Sequence, residues 1–206
     1  MKGREKRDFD KVAATWDEDP RRVKLAEDVA AAILREAALS KDMDALDFGC
    51  GTGLVTLKLQ PYVRSITGVD SSQGMLSVLE QKLKEKGVSN VHTLFIEIDK
   101  AGRIEGRFHL IVSSMTLHHV PETAPLLRRM HDLLLPGGII CLADLDAEDG
   151  TFHPDNTGVF HFGFDREKLK ALMSQTGFRD IKDVTAAHML REANKSFSVF
   201  LITGRK

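Results

Sequence analysis

The chain has 206 residues, 42% of them hydrophobic and 29% charged, which suits one globular domain with a sizeable core. Its formal net charge is −1, with 29 Lys and Arg against 30 Asp and Glu, so there is no electrostatic footprint for nucleic-acid phosphates or an anionic membrane surface. Two cysteines, Cys50 and Cys141, are too few for a disulfide framework and lack metal-ligand spacing.

The charged opening "MKGREKRDFD" is not a secretory signal, and the apolar runs are far shorter than a membrane span, so a soluble cytoplasmic protein is expected. From Pro20 to Leu39 the residues Val23, Ala26, Val29, Ala30, Ile33, Leu34 and Ala37 recur at three- and four-residue steps, the mark of an amphipathic helix. "MDALDFG" reads as a strand entering a glycine turn. "LVTLKLQPYV" reads as a helix that starts just after Gly53 and stops near Pro61. "SITGVD" is a strand ending at Asp70, and "SSQGMLSVLEQKLKEKG" is a helix closed by Gly87. "NVHTLFIEID" and "FHLIVSS" are further strands, followed by a helix from about Pro121 to Leu135, the strand "GIICLADL" and the helix "DREKLKALMSQTGF". Two β-rich runs, "IKDVTAAHML" and "FSVFLITGRK", have no helix between them and are expected to pair as an antiparallel hairpin.

Continuous apolar strands alternating with helices predict a doubly wound α/β fold, with a mostly parallel sheet covered on both faces. In such sheets ligands bind beyond the carboxyl ends of the strands, where strand order reverses. "LDFGCGTG" follows the first strand, and the missing side chains of Gly49, Gly51 and Gly53 would let the backbone approach a ligand closely. Asp70 ends the next strand and is placed to accept hydrogen bonds from ribose hydroxyls. The glycine spacing is G-x-G-x-G, with Leu54 where a dinucleotide fingerprint would need glycine. A nucleoside cofactor fits both anchors.

Together "LDFGCGTGLVTLKL", "ITGVDSSQGML", "FHLIVSSMTLHHV" and "LLPGGIICLADL" resemble, in order and spacing, the motifs of small-molecule class I S-adenosylmethionine-dependent methyltransferases. The resemblance runs from about Ala45 to Phe178, and the terminal hairpin matches that family's usual ending. It implies a seven-stranded Rossmann-like sheet in a single domain. Residues 1–42 would be a helical lead-in or lid, and residues 43–206 the cofactor-binding core. It also implies S-adenosyl-L-methionine as cofactor, released as S-adenosyl-L-homocysteine.

On the matching positions, Asp47 would orient the methionine amino end, and the backbone from Gly49 through Cys50 and Gly51 to Gly53 would pass the methionine moiety. Asp70 would bind the ribose hydroxyls, Ser71 and Met75 would flank ribose and adenine, and Asp99 would take the adenine amine. The backbone at Ser113 and Ser114 would face the methionine portion. Each has a plainer alternative: Asp70 and Asp99 as turn or helix caps, Met75 as core. Asp47 is the hardest to dismiss, because an acid in an apolar strand is costly unless paired.

The cofactor carries the reactivity, so the protein has to position an acceptor and exclude water. His119 is the candidate general base. His118 is expected to be structural, and His153 and His161, in the long loop after the fifth strand, are substrate-pocket candidates. Trp16 either helps close the site or staples the first helix to the sheet. No histidine pair has the spacing of a helical metal site, so no metal is expected. The expected partner is a small-molecule methyl acceptor, not nucleic acid or membrane. "SSMT" stands where enzymes acting on planar amino nitrogens carry an Asn-Pro-Pro-Tyr type signature. The competing readings are a non-catalytic nucleoside-binding regulator and a nicotinamide-dependent oxidoreductase.

Overall fold

The computed structural model describes residues 7–97, 104–191 and 195–206. Its seven strands are β1 (Asp44–Phe48), β2 (Ser65–Asp70), β3 (Val91–Phe95), β4 (Phe108–Ser114), β5 (Leu134–Leu145), β6 (Arg179–Leu190) and β7 (Ser196–Arg205). They lie in the order β3-β2-β1-β4-β5-β7-β6. The first five are mutually parallel, while β7 runs antiparallel to both β5 and β6. The fold is therefore a Rossmann-like, doubly wound α/β sheet that ends in the expected hairpin. Strand order reverses between β1 and β4, and the crevice opens at the carboxyl end of β1.

The helices are α1 (Pro20–Glu36), α2 (Thr56–Leu59), α3 (Gln73–Lys86), α4 (Thr123–Leu133) and α5 (Arg166–Gln175), preceded by a 3₁₀ segment at Asp10–Glu18. Strand alternation sorts their packing. On β1, Ala45 faces a core built with Val29 and Ile33 of α1 and Leu79 of α3. Leu46 and Phe48 face the opposite core, with Leu127 and Met130 of α4 and Leu169 of α5. Asp47 thus points toward the face that carries α2. None of the described helices is long and apolar enough to cross a membrane.

Two of the expected boundaries that differ bear on the site and on the hairpin. The helix after the glycine turn is only Thr56–Leu59, passing at once into a 3₁₀ turn at Gln60–Tyr62 that carries Pro61. Strand β5 starts at Leu134 rather than Gly138, since the Gly137–Gly138 backbone bonds with Lys206 beyond the end of β7.

Candidate functional site

At the carboxyl ends of β1, β2 and β4 lies a cavity of about 250 Å³, lined by the glycine turn, by Asp47, Asp70, Ser71 and Met75, and by Ser114 through Thr116. The turn is tied to the neighbouring strand, with Gly49 and Cys50 N–H both donating to Val69 O at 2.8 and 3.0 Å. The glycines differ in purpose. A Cβ on Gly49 would overlap Thr116, and one on Gly53 would overlap Leu79, whereas one on Gly51 would meet nothing within 4 Å. Gly51, at φ +54°, is therefore the glycine whose bareness leaves the cavity open. Gly53, by contrast, is not among the lining residues, and its missing side chain makes room for Leu79 of α3.

Asp70 holds this turn. Its Oδ2 accepts from Gly51 N–H at 2.8 Å and its Oδ1 from Ser72 N–H at 2.9 Å. Burial raises its pKa despite those donors. Each oxygen keeps a lone pair directed elsewhere, so the carboxylate remains able to accept from a ligand hydroxyl. Asp47 is 1% exposed, and Thr56 Oγ1 donates to its Oδ2 at 2.5 Å. Burial lifts its pKa to about 7, against the Thr56 hydrogen bond and with a smaller push from the Asp70 charge. No cationic side chain bonds to it among the described residues. Cys50 also lines the cavity, its thiol kept protonated by burial and by the two carboxylates.

Met75 is buried in the cavity wall, and Ser72 Oγ accepts from its N–H at 3.1 Å, capping α3. Ser114 reaches the cavity, while its neighbour Ser113 turns into the protein, its hydroxyl buried without a partner. Asp99 lies outside the described residues.

The lead-in segment is anchored to the same machinery. Asp10 Oδ1 accepts from Ser72 Oγ at 2.5 Å and from Gly74 N–H at 2.8 Å, and Thr52 Oγ1 donates to Asp17 at 2.6 Å. Trp16 lines the cavity, 3.9 Å beneath the Arg22 guanidinium and edge-on to Phe9. Among the residues that sequence reasoning missed are Arg22, Thr52, Met115 and Thr116. Met115 adopts φ +56°, a conformation uncommon for a side chain of its kind, and nothing in "SSMT" announces it.

Opposite the carboxylates stand three imidazoles. His118, in a 3₁₀ turn after β4, is 1% exposed but borders the cavity, and its Nδ1 lies 2.7 Å from Asp144 Oδ1 on β5. Burial alone would raise the Asp144 pKa, yet His118 and two backbone N–H groups hold it below the ordinary range. His119 donates from Nδ1 to Gly158 O at 2.7 Å, and His153 Nε2 lies 3.2 Å from His118 Nε2. Burial, reinforced by His118, lowers His119 to about 4 and His153 to about 3, so both are neutral at pH 7. His161 is not among the lining residues: its Nε2 bonds Val120 O at 2.9 Å and its ring packs on Phe164.

Comparisons with known proteins agree with this geometry. A family model described as a methyltransferase domain matches residues 21–183. An uncharacterised methyltransferase of Schizosaccharomyces pombe is 35% identical over 136 residues, covering 59% of this chain and 48% of the relative. A demethylmenaquinone methyltransferase of Geobacillus kaustophilus is 31% identical over 144 residues, covering 65% of this chain and 60% of the relative. The chain spans about half the length of the curated relatives it matches. A solved S-adenosylmethionine-dependent methyltransferase from Aquifex aeolicus superposes with a TM-score of 0.70 at 18% identity, covering 95% of this chain and 97% of the other. The fold is that of this solved S-adenosylmethionine-dependent methyltransferase. More particularly, the chain belongs to the methyltransferase domain family that its residues 21–183 match.

Proposed function

We propose that this chain is a cytoplasmic enzyme that moves the sulfonium methyl of S-adenosylmethionine onto a small-molecule acceptor, with residues before Met43 acting as a lid. The observation that carries the reading is the division of one cavity into an acidic half, Asp47 and Asp70 beside open Gly51, and an imidazole half, His118, His119 and His153. In this reading Asp47 receives the cofactor's ammonium, and Arg22, on the cavity wall, its carboxylate. Asp70 takes the ribose hydroxyls, and Met75 and Ile96 flank the adenine.

The sulfur then faces the imidazoles, where the acceptor lies. The acceptor's lone pair forms a bond to the methyl carbon as the carbon–sulfur bond breaks, its electrons staying on sulfur as the neutral thioether. Holding the reactants in line is the main contribution asked of the protein. His119, its Nδ1 bonded to Gly158 O, stands in the cavity wall on the acceptor's side. The relative named for demethylmenaquinone supports a quinone-like acceptor.

Calorimetry with S-adenosylmethionine, S-adenosylhomocysteine and NAD tests the cofactor. Binding of the first two, weakened at least tenfold by Asp70→Ala, is expected; undiminished affinity in that variant, or preference for NAD, would overturn the assignment. Donor consumption against a panel of hydroxylated and quinol metabolites separates an enzyme from a non-catalytic binder.

A further inference from the structure

The imidazole half of the cavity is built more elaborately than positioning alone requires. His118 and His119 are consecutive in the sequence, and His153 comes from the loop after β5, yet nitrogens of all three rings lie within 4.8 Å of one another. Two of the three rings are fixed by a second layer. The Nδ1 of His118 is held by the Asp144 carboxylate at 2.7 Å, and the Nδ1 of His119 by the Gly158 carbonyl at 2.7 Å. With Nδ1 engaged in this way, Nε2 is the nitrogen each of these two rings has left to offer a cation. Carboxylates and backbone carbonyls in this position are the usual outer partners of metal-bound histidines.

The spacing agrees. His118 Nε2 and His153 Nε2 are 3.2 Å apart. Two nitrogens on one tetrahedral zinc, with bonds of about 2.0–2.1 Å, stand roughly 3.3 Å apart. Two such nitrogens close together need either a shared proton or a shared cation. In the metal-free arrangement the proton is on His153, whose Nδ1 accepts from Arg7 Nη1 at 3.2 Å. Cation binding would move that proton to Nδ1 and release Arg7.

We propose that His118, His119 and His153 bind one first-row divalent cation of the zinc type through their free ring nitrogens, with Asp144 and Gly158 as the outer layer. Three neutral imidazoles without thiolate or a direct carboxylate suit Zn²⁺, Co²⁺ or Fe²⁺ over Mg²⁺ or Ca²⁺. Three protein ligands leave a fourth position, which faces the cavity, as in catalytic zinc sites. The use of that position rests on the methyl-transfer reading. An acceptor hydroxyl would bind there, lose its proton to solvent as the oxygen–metal bond forms, and attack the methyl as an oxyanion. The site thereby selects acceptors that offer an ionisable oxygen.

The test uses the whole chain, stripped with a chelator and titrated with Co²⁺, in the presence and absence of S-adenosylhomocysteine. The expected result is saturable uptake of one ion per chain, with the strong visible absorption of four-coordinate Co²⁺ and displacement by Zn²⁺. His119→Ala and His153→Ala, neither at a fully buried position, should abolish the absorption while melting as the wild type does. Asp144→Asn should weaken uptake by roughly 10–100-fold. No saturable uptake, or uptake that survives both histidine substitutions, overturns the site. Calorimetry with S-adenosylhomocysteine on the same samples separates the two ideas: if the metal binds and the nucleoside does not, the methyltransferase reading fails and the metal site stands.

Discussion

Asp47→Asn should make the free protein more stable while it destroys cofactor binding. Burial raises the Asp47 carboxyl from 3.8 to about 7. At about 1.36 kcal/mol per pH unit, ionising it inside the fold costs on the order of 4 kcal/mol at pH 8. The sign follows from linkage. The folded-state pKa is raised, so the group's favourable contribution is complete below pH 3.8 and is lost as pH rises through about 7. Asparagine keeps an acceptor for Thr56 Oγ1 but brings an amide that needs a partner of its own, at roughly 1–3 kcal/mol. A net gain of about 2 kcal/mol at pH 8 remains, or close to 6 °C in a domain of this size. Differential scanning calorimetry at several pH values measures it. The advantage should be full above pH 7 and shrink steadily toward pH 4. A variant that melts at or below the wild type at pH 8, or whose advantage is independent of pH, would refute the idea of a buried carboxylate waiting for a cation.

The same carboxylate sets the pH dependence of cofactor affinity: an ammonium binds the ionised form, so the dissociation constant should rise about tenfold from pH 8 to pH 6 by calorimetry. Gly51→Ala and Gly49→Ala should part company. The first puts a methyl group into open space at φ +54°, costing about 1–2 kcal/mol in stability but at least tenfold in cofactor affinity, by thermal shift and calorimetry. The second drives a Cβ into Thr116 and should cost stability first, by about 3 kcal/mol or more in urea denaturation. Ser113→Ala removes a buried hydroxyl that has no partner and should raise the melting temperature by about 2–4 °C; a fall would mean the hydroxyl is satisfied in solution.

The sheet, its winding and the acidic half of the cavity were legible because they are written locally. β2 and β4 lie where the apolar runs "SITGVD" and "FHLIVSS" place them, and Asp70 ends its strand. The roles of the glycines were only half legible. "GCGTG" announces a bend, but which glycine faces a ligand depends on where Thr116 and Leu79 arrive from other strands and helices. Met115 shows the same limit, since its left-handed backbone conformation arises where β4 meets the following turn, held by Met115 N–H on Ala143 O at 2.8 Å.

The histidines mark the boundary most sharply. A residue spacing can reveal a metal site only when one helix or hairpin carries the ligands. Here adjacent His118 and His119 need His153 from a loop, and Asp144 reaches His118 because strand alternation turns it toward that face of β5, between buried Ala143 and Leu145. His161, in the same loop as His153, is drawn away by Val120 O and Phe164. Sequence places both histidines on the rim; which one enters the cavity is decided by the loop's own hydrogen bonds, Phe160 and His161 N–H on His118 O and Glu148 N–H on Phe162 O. The chain therefore encodes the acidic half of the cavity in strand-adjacent motifs and the imidazole half in long-range loop closure, and the second is where members of one fold can diverge in chemistry.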